Sequence, residues 1–187
     1  TSTNDMVTVL ANGLAGNAEI TEKNADYEAF LAALTDISTT LARAMAADGE
    51  GAKHLITCAV SGAADDSAAE TLSKSVIGST LTKAAIFGCD ANWGRVLCAM
   101  GYSGVEFDPE AVDITFKSAA GTVPVCKSGR GLAFDEELAK KVLTEPEVVI
   151  EVSFIWDWSC FTRVSLALIV SLLRLSAAEI SSMRALF

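Results

Sequence analysis

The chain has 187 residues, 51% of them hydrophobic, and carries 24 acidic against 14 basic side chains, a net charge of −10. That length suffices for one domain with a sizeable core, and the acidic balance excludes a nucleic-acid partner, because phosphate binding calls for clustered Lys and Arg. A single histidine, His54, excludes a multi-His zinc site and leaves a Ser-His-Asp triad only one route.

His54 itself stands in the apolar run HLITCAV and reads as a packed or edge histidine. Cys58, Cys89, Cys98, Cys126 and Cys160 are odd in number, widely spaced and contain no C-x-x-C pair. That usage fits buried thiols in a reducing compartment and no metal knuckle. The start, TSTNDMVTVL, lacks the basic segment of a signal peptide, and the longest strongly apolar run, Val164 to Leu173, is too short to span a bilayer. The expectation is a cytoplasmic protein without a membrane partner.

In chain order, the first clear element is a helix from about Asp26 to Ala47. Tyr27, Phe30, Leu31, Leu34, Ile37, Leu41 and Met45 recur at three-to-four spacing and predict one buried stripe. Asn24 or Asp26 caps its start and Gly49 is placed to end it. A strand follows at His54 to Val60. Asp65 and Asp66 then cap a second helix, with Leu72, Val76 and Leu81 as core positions. Lys83 to Phe87 reads as a short strand, Gly88 to Asn92 as a loop, and Trp93 to Met100 as a helix stopped at Gly101. After the turn at Asp108-Pro109, VDITFK and TVPVC predict a hairpin, the second strand at an edge because of Pro124. A helix at Asp135 to Leu143 and a strand EVVIEV, Glu147 to Val152, complete a mixed α/β (α+β) pattern.

Composition changes near Val152. All 13 glycines lie at or before Gly131, and the first 151 residues carry a net charge of −11 against +1 for the rest. Residues 1–152 therefore read as one body and 153–187 as a divergent apolar tail. Leu166 to Leu175 in that tail form a helix pattern that is apolar nearly all round, which predicts burial or aggregation.

Three segments are candidates for chemistry. Thr1, at the amino terminus, pairs a hydroxyl nucleophile with an α-amino base, although Thr1 to Asp5 also suits turn and capping chemistry. In Asp48-Gly49-Glu50-Gly51 the glycines let the backbone turn sharply, so Glu50 is either a carboxylate presented to an amine or a solvated acid at a helix C-cap. In Gly88 to Arg95, the residues Asp90, Asn92, Trp93 and Arg95 crowd a junction that opens a helix. They either aim at an anion or serve the fold, with Asp90 as cap, Arg95 paired to a carboxylate and Trp93 in the core. Arg130, between Gly129 and Gly131, reads as a hairpin turn.

TSTNDMVTVLANGLAGN (Thr1 to Asn17), DGEGA (Asp48 to Ala52), KAAIFGCDANWGRVLCAMGYSG (Lys83 to Gly104) and EVVIEV, in this order, resemble the β-chain of the ornithine acetyltransferases. These are the bifunctional glutamate N-acetyltransferases of cyclic arginine biosynthesis. The resemblance covers about residues 1–152. It implies the ornithine acetyltransferase fold, related to that of the β-aminopeptidases and here partial. It also implies a precursor that cleaves itself into α and β chains, associated as an α2β2 heterotetramer. Acetyl passes from N-acetylornithine, or from acetyl-CoA as a substrate, to glutamate through an acetyl-threonine enzyme, giving ornithine and N-acetylglutamate with no cofactor and no metal.

Carried over residue by residue, the resemblance assigns substrate binding to Glu50, whose carboxylate suits the amino groups of these substrates. The family's nucleophile stands in an Ala-Thr-Met-Leu context upstream of TSTND, so Thr1 falls on an interior position and no catalytic residue transfers. Ala52-Lys53-His54 replaces the usual A-T-K, and Ala91 stands where proline is usual. Nothing after Val152 matches the family's ending, which predicts a frame-shifted or replaced terminus. The chain is therefore expected to be inactive alone. Alternatives are an N-terminal-nucleophile aminopeptidase of related fold using Thr1, and a non-catalytic assembly or remnant subunit.

Overall fold

The computed structural model describes residues 6–155 and the backbone of a two-residue strand, Val164–Ser165. Its two compact units divide between Gly51 and Ala52. The expected tail helix at Leu166 to Leu175 lies outside the described residues, as do Thr1 and Cys160.

In the first unit, residues 6–24 run without regular structure into helix α1, Ala25–Ala47. Asn24 is the cap: its side-chain oxygen accepts the Tyr27 N–H at 3.0 Å, and Asp26 and Glu28 place negative charge at the positive end of the helix dipole. The apolar stripe forms but is only partly sheltered, with Tyr27, Leu31, Leu34 and Met45 half-buried. Phe30, Ile37 and Leu41 are 46%, 57% and 41% exposed, and the buried residue of α1 is Ala42. A helix closes its own backbone hydrogen bonds whether or not its stripe finds a partner surface, so periodicity predicts the helix better than the burial. Asp48, rather than Gly49, takes the C-cap position, and its N–H bonds the Ala44 carbonyl at 3.0 Å.

The second unit is a mixed sheet with helices on one face. Its strands are β1 Leu55–Ser61, β2 Val112–Ser118, β3 Gly121–Lys127, β4 Arg130–Gly131, β5 Glu147–Phe154 and β6 Val164–Ser165, in the order β4-β3-β2-β5-β1-β6. β5 runs parallel to β1 and antiparallel to β2, so the last long strand inserts between two earlier ones. Alternation decides the faces. Val112, Ile114 and Phe116 of β2 and Val148, Ile150 and Val152 of β5 point into the core, while Thr115 and Glu151 pair on the other face. Lys117 reaches Glu151 there at 3.4 Å; both are exposed, so the pair adds at most about 1 kcal/mol.

The helices covering the inner face are α2 Asp66–Gly78, α3 Thr80–Phe87, α4 Trp93–Gly101 and α5 Glu136–Thr144. Leu72 and Val76 of α2, Val96 and Met100 of α4, and Val142 and Leu143 of α5 join the sheet residues in one core cluster. Asp65 caps α2 through the Ala68 N–H, and Asp135 caps α5 through the Glu137 and Leu138 N–H groups.

Two expectations fail here. Lys83 to Phe87 is helix, not strand: Ser79 caps it through the Thr82 N–H, and Thr82, Ala85 and Ile86 make a buried face at helical spacing. Leu81 belongs to this helix, not to α2, and is 55% exposed instead of core. Five residues such as KAAIF carry too little periodicity to separate the two states.

The hairpin β2–β3 forms with an irregularity between Ile114 and Thr115. Ile114 aligns with Cys126 and Thr115 with Pro124, so Val125 is an extra residue and both Val125 and Cys126 turn inward. β4 pairs with β3 at Cys126 and Lys127, leaving Pro124 where no neighbouring strand needs its missing N–H.

Candidate functional site

Glu50 stands in the turn after α1, exposed, between Gly49 and Gly51. Gly51 has φ +71° with open space where a Cβ would go, so backbone conformation alone selects glycine there. The structure thus shows a solvated acid just past a helix cap, held on a turn that can present a carboxylate outward. Thr1 lies outside the described residues, and no geometry joins it to Glu50.

The segment Gly88 to Arg95 is described throughout, and its polar groups serve the fold. Asn92, not Asp90, caps α4 by accepting the Arg95 N–H at 3.2 Å, and its Nδ2 donates to Asp90 Oδ2 at 3.0 Å. Asp90 is exposed and steadies the capping residue instead. Arg95 Nη1 donates to the Leu81 carbonyl at 3.1 Å, so the expected carboxylate partner is replaced by a helix backbone oxygen.

Trp93 is half-buried against the core and lies over the β3–β4 hairpin. A Cβ at Gly131 would come 2.8 Å from its Nε1, and one at Gly129 would come 2.3 Å from the Pro109 carbonyl oxygen. Ser128 and Gly129 have φ of 48° and 68°, the pattern of a type I′ turn, so Arg130 is a hairpin residue as expected. The two glycines bring the hairpin against Trp93 and Pro109, a role that the spacing alone did not reveal.

His54 is half-buried, with Nδ1 2.9 Å from the Glu145 carbonyl oxygen, which tethers the entry of β1 to the end of α5. Lys53 Nζ lies 5.0 Å from the centre of the Phe87 ring. The cysteines are not uniformly buried: Cys58 and Cys126 are, Cys89 is half-buried and Cys98 exposed. Burial pushes the Cys58 thiol up to about 12, and burial followed by the charge of Asp113 raises Cys126 against a backbone hydrogen bond from Gly129. Both are poor nucleophiles at neutral pH. Among the described residues, no three His, Cys, Asp or Glu side chains gather as a metal site, and no helix is long and apolar enough to cross a membrane.

A surface depression of about 440 Å³ runs along α5, lined by Ala120, Glu137, Lys140, Lys141, Thr144 and Glu145. It contains none of the candidates Glu50, Asp90, Asn92, Trp93, Arg95 and Arg130. Its charges are mixed and it lies open to solvent, so it defines no particular ligand.

The second unit defines a mixed α+β protein of two layers, one sheet faced by helices. The chain belongs to the ArgJ family, which it matches over residues 1–160. It is 51% identical over 153 residues to the arginine biosynthesis bifunctional protein ArgJ 1 of Clostridium acetobutylicum, covering 82% of this chain and 38% of that protein. It is 53% identical over 149 residues to the ArgJ of Symbiobacterium thermophilum, covering 80% and 36%. The crystal structure of the Bacillus halodurans ArgJ superposes with a TM-score of 0.72 at 43% identity, covering 82% of this chain and 71% of that one. The chain thus spans under two-fifths of the length of these curated relatives.

Proposed function

We propose that this chain is part of the β-chain of an ornithine acetyltransferase. Acetyl moves from N-acetylornithine, or from acetyl-CoA, to glutamate in arginine biosynthesis. The observation that carries this is the family match over residues 1–160, with relatives whose names assign them to arginine biosynthesis as bifunctional proteins. The reaction is double displacement. A threonine hydroxyl outside this chain's matched segments attacks the acetyl carbonyl, the amine of ornithine leaves with the proton, and the amine of glutamate then takes the acetyl from the ester. Acyl transfer of this kind calls on no metal or cofactor.

Glu50 is the substrate-binding residue in this reading. Its exposed carboxylate on a glycine-flanked turn suits a charge-assisted hydrogen bond to a substrate amine. The partner is an α-chain from the same precursor, in an α2β2 assembly in the cytoplasm. The family match runs past Val152 to residue 160, so the expected boundary moves and residues 161–187 are read as a replaced terminus; reading the flanking DNA in all frames would show a family ending, and its absence would remove that reading. The family match favours acetyl transfer over the aminopeptidase alternative.

The test is turnover. The purified 187-residue chain is expected to show no N-acetylornithine-dependent acetylation of glutamate; measurable turnover would refute its dependence on a partner. Grafted in place of the matched stretch of the Clostridium acetobutylicum relative, residues 1–152 are expected to support the reaction. In that chimera Glu50→Gln lowers kcat/KM by about 10- to 100-fold, the worth of one charge-assisted hydrogen bond. No change would remove Glu50 from the site.

A further inference from the structure

Tyr27, Phe30, Leu34, Ile37 and Leu41 follow one another at three- and four-residue steps, so they line a single seam along a helix of 23 residues. Three of them are more than 40% exposed. The core cluster of the second unit is built from residues between Cys58 and Phe154. An apolar row of this length facing water marks an interaction surface. The whole of α1 lies inside the stretch matched to the ArgJ family, whose curated members are more than twice as long as the matched segment. The same helix there shares a chain with a large body of polypeptide that these 187 residues do not match.

We propose that the α1 seam is the docking surface for that remaining part of an ArgJ polypeptide. The proposal rests on the chain's working within a longer ArgJ enzyme, and it names the face by which the chain joins it. Asp26 lies beside the seam, whereas Glu28, Asp36 and Arg43 fall on the other side of the helix. The surface that receives α1 is therefore an apolar groove.

Ile37→Cys tests this, with maleimide labelling of the introduced thiol read peptide by peptide in two proteins. One is the 187-residue chain; the other is the Clostridium acetobutylicum relative with residues 1–152 grafted in place of its matched stretch. Labelling is expected to slow at least tenfold in the chimera, while Thr35→Cys, on the opposite side of α1, labels at similar rates in both. Equal rates for Ile37→Cys would overturn the proposal. So would slow labelling in the dilute 187-residue chain, which would mean that its own residues cover the seam. Slowing that grows with concentration would point to a second copy instead.

A second measurement does not depend on the graft. The unmatched part of the Clostridium relative, co-expressed with this chain, is expected to co-purify with it, and Leu41→Glu is expected to cut recovery at least tenfold. No recovery, or recovery unchanged by Leu41→Glu, would overturn the docking face. Neither readout needs turnover, so a protected seam in an inactive chimera would keep the docking face and reject the proposed reaction.

Discussion

At the scale of single residues, the structure separates groups that the sequence presents as equals. Cys58 and Cys98 are both unpaired thiols, yet one is sealed in the sheet core and the other lies on an exposed helix face. The sealed one makes stability depend on pH. Its proton is held in the fold up to about 12, whereas the unfolded chain releases it near the ordinary value of 9.0. Above that value the unfolded state binds fewer protons, so stability is fully present below pH 9 and is lost toward 12. The slope is at most about 1.4 kcal/mol per pH unit. Urea unfolding across this range should show the decline, and Cys58→Val should flatten it; an equal decline in the variant would assign it to other groups. The candidate residues of Gly88 to Arg95 were visible in the sequence as a polar cluster, but their duties were not. Asp90, Asn92 and Arg95 are each able to cap, pair or bind, and the contacts with Leu81 and the α4 amides chose among these.

At the scale of elements, caps decided more than composition did. Ser79, Asn92 and Asp135 each accept a backbone N–H at a helix start, and each such contact is worth about 1 kcal/mol. The end of α3 is less well served. The N–H groups of Cys89 and Asp90 bond the carbonyls of Ile86 and Ala85, a Schellman closure with Cys89 in the left-handed position at φ 53°. Glycine adopts that conformation without strain. Cys89→Gly should therefore raise stability by up to about 1 kcal/mol, less whatever the half-buried thiol contributes. Cys89→Val should lower it by more than about 1 kcal/mol, because a β-branched residue is disfavoured there. Thermal unfolding orders the three proteins, and a valine variant as stable as the parent would contradict the argument. The same closure explains the misread strand: KAAIF is apolar enough for either state, and the Ser79 cap with its Schellman end settles it as helix.

At the scale of the whole molecule, β2 and β5 are each flanked by strands on both sides and buried beneath α5 and its neighbours. Their amides should exchange last, at least 100-fold more slowly than those of α1, whose stripe faces solvent in this chain. Hydrogen exchange read residue by residue measures the order, and equal protection in α1 and β5 would show that the stripe is covered. The sequence by itself determined the local features: the caps at Asn24 and Asp65, the alternation of β2 and β5, the hairpin turn around Arg130, and the family likeness. These are encoded within a few residues of where they act, because capping, pleating and turn conformation are short-range. Only the tertiary structure decided that β5 enters between β2 and β1, and that Gly129 and Gly131 must admit Pro109 and Trp93. Leu55 pairs with Glu147 across the sheet, and partners so far apart in the chain meet only when burying both faces of each element has a common solution.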